Sequence, residues 1–187
     1  MLMKQVHLLT NNPGKIKAAN FIFNMHDIEV LPLQLDIPEI QATSAEIARA
    51  MVEQAYKIVN KPIIREDHSF FIKELGFPGP FMAYAYKAID NNHLIKILKT
   101  LESREAYFEL SAAYCDNSGK VHEFSYQVPI IMSTEARGDE KLRWERFMMF
   151  PGDSRTFAEF DESERLEIWS KNYESIARHI NAESLQV

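Results

Sequence analysis

A junction between an apolar segment and a helix-like segment near the amino terminus most constrains how this chain can fold. The strand-like KQVHLLT is followed by NNPGK and then by IKAANFIF, whose composition is typical of a helix. Asn12 is a favourable N-cap, and Pro13 suits the first helical position because its missing N–H needs no partner there. The sequence therefore predicts a strand that ends near Thr10 and a helix over 13–25.

The start of that helix is a candidate anion site. Helix N-termini carry unpaired N–H groups and partial positive charge, and phosphate is their usual ligand. Thr10, Asn12 and the cation Lys15 lie beside these groups in the sequence. An ordinary capped helix with a surface lysine has the same signature, so the octapeptide Leu8–Lys15 favours neither interpretation.

Composition narrows the class of protein. With 187 residues, 46% hydrophobic and 26% charged, the chain is expected to form one compact or two-lobed α/β domain. A net charge of −6 argues against non-specific nucleic-acid binding, and it means that a phosphate ligand needs a local basic patch or a divalent cation. The single Cys115 excludes an internal disulfide and is expected to be buried filler.

Neither a signal peptide nor a membrane span is recognisable. The apolar run at the start is short and is broken by Lys4 and His7. No stretch approaches the roughly 18 apolar residues of a membrane span. The cytoplasm is therefore the expected location, with no membrane partner.

Alternating strand and helix patterns predict a mixed α/β fold with an antiparallel lobe. Thr43 and Glu46 form a capping box that opens a second helix, and Met51 lies on its apolar stripe. The other predicted elements are strands IEVLPLQL and PIIRED, helices around 81–89 and 92–102, a hairpin about the turn 117–119, and a last helix over 162–181. The run 147–150, FMMF, is expected to be a buried strand, the alternative being an exposed contact surface.

Three carboxylates are placed where strands are expected to end. Glu39 follows the second strand, and Glu66 with Asp67 closes PIIRED. Carboxylates near phosphate need a hard cation between them, and Mg²⁺ binds in this way. A remaining carboxylate could then orient or deprotonate water. Alternatively the acids are solvated strand ends, and Arg65 could pair with one of the adjacent two.

The sequence leaves the role of His68, the residue after these acids, open. It could be a base, a ligand or a neutral hydrogen-bond donor. No second histidine or cysteine lies at zinc-ligand spacing.

An ordered series of motifs resembles the inosine/xanthosine triphosphate pyrophosphatase family, which removes deaminated purine nucleotides. The motifs are TNNPGK, DIPEIQ, the T-x-x-E helix start, EQAYKIVNKP, IREDHSFFI, GFPGPFMAYAYK, REAYF and TFAEF. The resemblance is close from about residue 5 to 116 and traceable to about 171. It implies an elongated mixed sheet in two lobes of a single domain (1–187), with a central nucleotide cleft, and a homodimer.

The resemblance also implies a reaction and a set of site residues. The reaction is Mg²⁺-dependent hydrolysis of a nucleoside triphosphate to monophosphate and pyrophosphate. By position, Thr10, Asn12 and Lys15 would bind the phosphate tail. Glu39, Glu66 and Asp67 would bind the metal, and Asp67, Glu66 and Lys15 would be the catalytic residues. Further substrate contacts are assigned to His68, Phe77, Tyr84, Trp144, Glu145, Arg165 and Lys171.

The carboxyl-terminal half departs from the family pattern where the base would be read. The family's Phe-Gly-Tyr/Trp-Asp-Pro loop is replaced by LRWER at 142–146, and its Ser-His-Arg by Trp169–Lys171. A family lysine on the second helix is Met51 here. The acids are retained, however, which favours a nucleoside triphosphate pyrophosphohydrolase with altered base preference. The alternatives are an inactive nucleotide-binding homologue and a hydrolase for a shorter phosphate chain.

Overall fold

The computed structural model describes residues 3–183 and shows the mixed α/β architecture that the sequence predicts. The strands are β1 (Lys4–Leu9), β2 (Ile28–Leu33), β3 (Ile63–Ile72), β4 (Phe77–Gly79), β5 (Glu105–Cys115), β6 (Val121–Met132) and β7 (Met148–Met149). The helices are α1 (Pro13–Phe23), α2 (Ser44–Val59), α3 (Met82–Ala88), α4 (Asn91–Leu98), α5 (Glu162–Trp169) and α6 (Lys171–Glu183). Short 3₁₀ helices occur at Asn24–His26, Trp144–Phe147 and Phe157–Glu159.

The strands form one mixed sheet in the order β2-β1-β3-β5-β6-β7, with β4 paired to β3. β1 is parallel to both β2 and β3, as expected for strands that are joined through helices, whereas β4 and β7 pair antiparallel with their neighbours. The predicted hairpin turn forms between β5 and β6. Gly119 there has φ +84°, and the Asp116 N–H donates to the Lys120 carbonyl.

The chain divides into two compact units. Within residues 3–183, the first contains the residues up to Asp67, Leu110–Tyr126 and the residues from Leu166; the second contains His68–Glu109 and Gln127–Arg165. In the first unit the sheet has a buried cluster on each face. One cluster joins Ile64 to α1 and α6, and the other joins Ile63 to α2. Successive β3 residues therefore face opposite layers, as in any regular strand.

Two predicted boundaries are wrong. β3 does not end at Glu66 and Asp67 but continues to Ile72, because the apolar residues that follow pair with β4. Both acids therefore lie in the middle of the strand. The predicted last helix is interrupted at Ser170, whose buried hydroxyl donates to the Glu167 carbonyl and so competes with helical pairing.

The segment 147–150 is largely inside. Phe147 and Met148 are buried, and Met148–Met149 pairs with β6, as the buried-strand interpretation predicts. None of the helices within residues 3–183 has both the length and the apolarity to cross a bilayer.

Candidate active site

The turn between β1 and α1 has the capped geometry that its sequence predicts. The Asn12 side chain accepts hydrogen bonds from the N–H groups of Gly14 at 2.9 Å and Lys15 at 3.4 Å. The Thr10 hydroxyl accepts from the Asn12 N–H at 3.1 Å. Two of the helix N–H groups thus already have an intramolecular acceptor, and the exposed turn is pre-organised by its own side chains.

The side chain of Lys15 turns back towards β3. Its Nζ donates to the Glu66 carbonyl oxygen at 2.8 Å and lies 3.4 Å from Glu66 Oε2. Only 18% of the lysine side chain is exposed. The cation expected to bind phosphate is therefore adjacent to one of the three predicted acids, with which it forms an ion pair.

Glu66 is buried and receives donors from α6 as well. Asn172 Nδ2 donates to Oε1 at 3.2 Å, and the Tyr173 hydroxyl donates to Oε2 at 3.1 Å. Burial and the neighbouring carboxylate raise the pKa of Tyr173 well above its ordinary value, so the hydroxyl keeps its proton and remains a donor. A buried carboxylate needs such partners, because an unpaired one would cost far more free energy.

The opposite face of the same strand carries a second pair. Arg65 Nη2 lies 2.6 Å from Glu39 Oε2, and Nη1 donates to the Leu9 carbonyl at 3.2 Å. Because Ile63 faces the α2 layer, strand alternation puts Arg65 and Asp67 on that side too. Arg65 does pair with a predicted site carboxylate, but with Glu39 rather than with either of its two neighbours.

A cleft of about 520 Å³ lies beside this pair. Thr10 and Glu39, both expected to bind substrate or metal, line it together with Met51 and Arg65. The other lining residues are Leu9, Asn11, Leu33, Gln34, Leu35, Asp36 and Ile37. Among the described residues, the lining therefore includes several apolar side chains, two carboxylates and a single cationic side chain.

The three predicted metal ligands do not form one cluster. Within residues 3–183 no group of three histidine, cysteine, aspartate or glutamate side chains is arranged to bind a metal ion. The reason is the strand itself: Glu66 points to the α1 and α6 layer, whereas Asp67 shares the face of Arg65 and Glu39. Both oxygens of Glu66 are moreover engaged by Asn172 and Tyr173.

The second unit contains several of the residues predicted to contact substrate. Phe77 in β4 and Tyr84 in α3 are exposed. Trp144 is 1% exposed, and its indole N–H donates to the Ile89 carbonyl at 3.1 Å. This is the environment of a packing residue rather than of a ring that stacks on a base, because no ring face is open.

The neighbour of that tryptophan, Glu145, has a defined polar environment. The Tyr86 hydroxyl donates to Glu145 Oε2 at 2.9 Å, and the Arg143 N–H donates to the same oxygen at 3.2 Å. The Arg143 guanidinium lies 5.1 Å from the centre of the Tyr86 ring. Where the loop departs from the family pattern, Glu145, Tyr86 and Arg143 therefore form a compact group of a carboxylate, a phenol and a guanidinium.

The remaining predicted residues are placed as follows. Arg165 in α5 donates from Nη1 to the Phe160 carbonyl at 2.9 Å. Lys171 is exposed, with Nζ 5.6 Å from the centre of the Tyr126 ring. His68 is partly exposed in β3. Each of these substrate contacts stays a prediction.

Sequence reasoning missed Asn172 and Tyr173 as partners of Glu66. Tyr173 lies within the predicted last helix, 162–181, where its position alone indicates no polar partner. A buried tyrosine usually finds an acceptor for its hydroxyl, which is the signal that could have identified it. The acceptor itself is 107 residues away in sequence.

Comparison with known proteins adds a family and a fold. The Ham1 family model matches residues 6–176. The dITP/XTP pyrophosphatase of Ignicoccus hospitalis is 33% identical and covers 98% of this chain and 100% of its own length. The dITP/XTP pyrophosphatase of Methanopyrus kandleri is 34% identical and covers 88% of this chain and 88% of its own length. The Ham1 protein structure from Staphylococcus aureus has a TM-score of 0.81, with 22% identity over 96% of this chain and 100% of its own.

Proposed function

The chain belongs to the Ham1 family, and we propose that it hydrolyses a nucleoside triphosphate to a nucleoside monophosphate and pyrophosphate. The family resemblance inferred from the motifs is thereby confirmed. The observation that carries the proposed activity is the similarity to the dITP/XTP pyrophosphatase of Ignicoccus hospitalis, which extends over the full length of that relative. A deaminated purine is accordingly the first base to test.

A divalent cation is proposed to bind on the α2 face of β3. Glu39 and Asp67 offer carboxylate oxygens there, and both side chains are at least partly exposed. This donor chemistry suits Mg²⁺, which would neutralise negative charge on the triphosphate when bound. Glu66 is not included, because its oxygens already accept hydrogen bonds within the protein.

The roles of the chain's own groups follow from their positions. Thr10 lines the cleft and accepts a hydrogen bond from the N–H of Asn12 in the capped turn, and both residues are proposed to contact the phosphate tail. Lys15, anchored by Glu66, supplies positive charge beside β3. Asp67 is proposed to accept the proton of the attacking water as the bond between the α-phosphate and the bridging oxygen breaks and pyrophosphate leaves.

The altered loop supports an altered preference for the base. Glu145 replaces the family's shorter acid, and the Tyr86 hydroxyl and the Arg143 N–H orient its carboxylate. We assign selectivity to this group rather than to Trp144, and the substrate contact of Lys171 stays a separate prediction from the family resemblance. A homodimer, a cytoplasmic location and a single two-lobed domain complete the proposal on family likeness alone.

A substrate panel tests the function. Purified protein with Mg²⁺ is incubated with ITP, XTP, dITP, the four common nucleoside triphosphates and the corresponding di- and monophosphates, and all products are separated by chromatography. Monophosphate and pyrophosphate in equal amounts are expected. Release of inorganic phosphate alone, hydrolysis of shorter phosphate chains only, or nucleotide binding without hydrolysis would contradict the proposal.

A pair of variants tests the assignment of Asp67. Asp67→Asn is expected to lower kcat by about two orders of magnitude or more, since general-base catalysis contributes on that scale. Asp27→Asn is the matched control. Asp27 is exposed at φ +54°, a conformation that asparagine tolerates, and the change should leave kcat unaltered. Equal rates for both variants would remove Asp67 from the mechanism.

A further inference from the structure

We propose that Arg65 is a phosphate-binding residue that exchanges its carboxylate partner for a phosphate oxygen of the substrate. Among the described side chains that line the 520 Å³ cleft, Arg65 is the only cation, and two acids, Asp36 and Glu39, line the cleft with it. A triphosphate entering this cleft brings several negative charges. Arg65 is thus the lining group able to offset them directly.

The guanidinium of Arg65 has unused donor capacity. Of its five N–H groups, one donates to the Leu9 carbonyl and one to Glu39. Nε is buried and has no hydrogen-bond partner within residues 3–183. The side chain is 17% exposed, so its stem is fixed by the protein while the head borders the cleft. The donors left for phosphate are therefore the second N–H groups of Nη1 and Nη2, in the planar arrangement with which arginine recognises phosphate.

The ion pair between Arg65 and Glu39 can be broken at little cost in stability. Glu39 is 50% exposed, and ion pairs at that level of exposure contribute little to stability. The same carboxylate is also proposed to bind the divalent cation. A cation bound to Glu39 would leave Arg65 without its carboxylate partner, and a phosphate group would replace that partner. Cation and phosphate binding would therefore favour each other through this exchange.

The inference rests on the proposed function, since it assigns a residue to the phosphate tail, but its test does not need turnover. Binding of inorganic tripolyphosphate is measured by calorimetry in EDTA. Arg65→Met is expected to weaken the affinity at least tenfold, and Arg65→Lys to recover part of the loss. Arg49→Met, which removes an exposed arginine on α2 paired with Glu53 and Glu123, should bind as the wild type does.

A second comparison separates exchange from simple charge attraction. Glu39→Gln frees Arg65 and removes one negative charge from the cleft, whereas Asp36→Asn removes one charge without releasing an arginine. Metal-free tripolyphosphate is expected to bind at least fivefold tighter to Glu39→Gln, with a smaller gain for Asp36→Asn. The extra gain in affinity of Glu39→Gln over Asp36→Asn should disappear when Arg65→Met is combined with Glu39→Gln.

The outcomes also distinguish this inference from the proposed function. Arg65-dependent binding in a protein that hydrolyses no nucleotide would support the inference while the proposed function fails. Hydrolysis with unchanged tripolyphosphate affinity and KM in folded Arg65→Met would overturn the inference alone. Equal gains for Glu39→Gln and Asp36→Asn would overturn the exchange.

Discussion

The hydroxyl of Tyr173 donates a hydrogen bond to Glu66 Oε2 at 3.1 Å. This contact joins α6 to the middle of β3, and the same oxygen lies 3.4 Å from Lys15 Nζ on α1. Three elements of the first unit thus meet at one buried carboxylate. Glu66 therefore links the fold to the candidate site, because the cation that it positions is the one expected at the phosphate tail.

Tyr173→Phe should destabilise the protein. The change deletes one donor to a buried carboxylate and leaves that oxygen less satisfied, which typically costs about 1–3 kcal/mol in the free energy of unfolding. Urea titration followed by circular dichroism measures the loss. The control is Tyr56→Phe, because that hydroxyl donates to the exposed Asn117 carbonyl. If Tyr56→Phe loses as much stability, the hydrogen bond to buried Glu66 contributes no more than one to an exposed carbonyl.

Lys15→Met should affect both stability and substrate affinity. It removes the ion pair with buried Glu66, so we expect a loss of about 1–3 kcal/mol in the free energy of unfolding and a KM for triphosphate raised at least tenfold. Lys61→Met, at an exposed lysine just after α2, is the control. Denaturation and initial-rate measurements on the two variants check both expectations. An unchanged KM would remove Lys15 from the phosphate site.

The local parts of this site were predictable, and the long-range parts were not. The cap at Asn12 and the capping box of Thr43 and Glu46 follow from neighbouring residues, and both form. The opposite orientations of Glu66 and Asp67 are not evident from the sequence, because PIIRED predicts a strand that ends at these two acids. Had its continuation to Ile72 been recognised, alternation alone would have separated the two acids. The contact of Glu66 with Tyr173 spans 107 residues and has no local signal.

Stability should fall in alkaline solution in a way that depends on Tyr86. Burial, and then the Glu145 carboxylate, raises the pKa of Tyr86 from 10.0 to about 12 in the folded protein. Above pH 10 the unfolded chain loses this proton and the folded protein keeps it, so the stability contribution is lost as the pH rises from 10 to 12. One proton accounts for at most about 1.4 kcal/mol per pH unit, and the partial exposure of this side chain reduces that figure.

Tyr86→Phe tests this dependence. The variant should show a shallower fall in unfolding free energy between pH 10 and 12, measured by urea titration at fixed pH values. Tyr84→Phe, at an exposed position of the same helix, should reproduce the wild-type profile. If both variants follow the wild type, the hydrogen bond from Tyr86 to Glu145 does not control the alkaline behaviour.

Cys115 should be unreactive in the folded protein. It is 1% exposed, as the buried-filler interpretation predicts, and burial together with the Asp116 and Glu53 carboxylates raises the pKa of its thiol from 9.0 to about 11. The thiolate is the reactive form, and a rise of two pKa units lowers its fraction at pH 8 about a hundredfold. Modification by a disulfide reagent at pH 8 should therefore be limited by opening of the fold.

A displaced thiol provides the comparison. Asn117→Cys combined with Cys115→Ser moves the only thiol two residues along the chain, to an exposed position of the hairpin turn. That protein should react at the rate of a free thiol, while the wild type reacts at least a hundredfold more slowly until guanidinium unfolds it. Rapid modification of native Cys115 would mean that the end of β5 opens readily. It would also contradict the structural role that burial assigns to this residue.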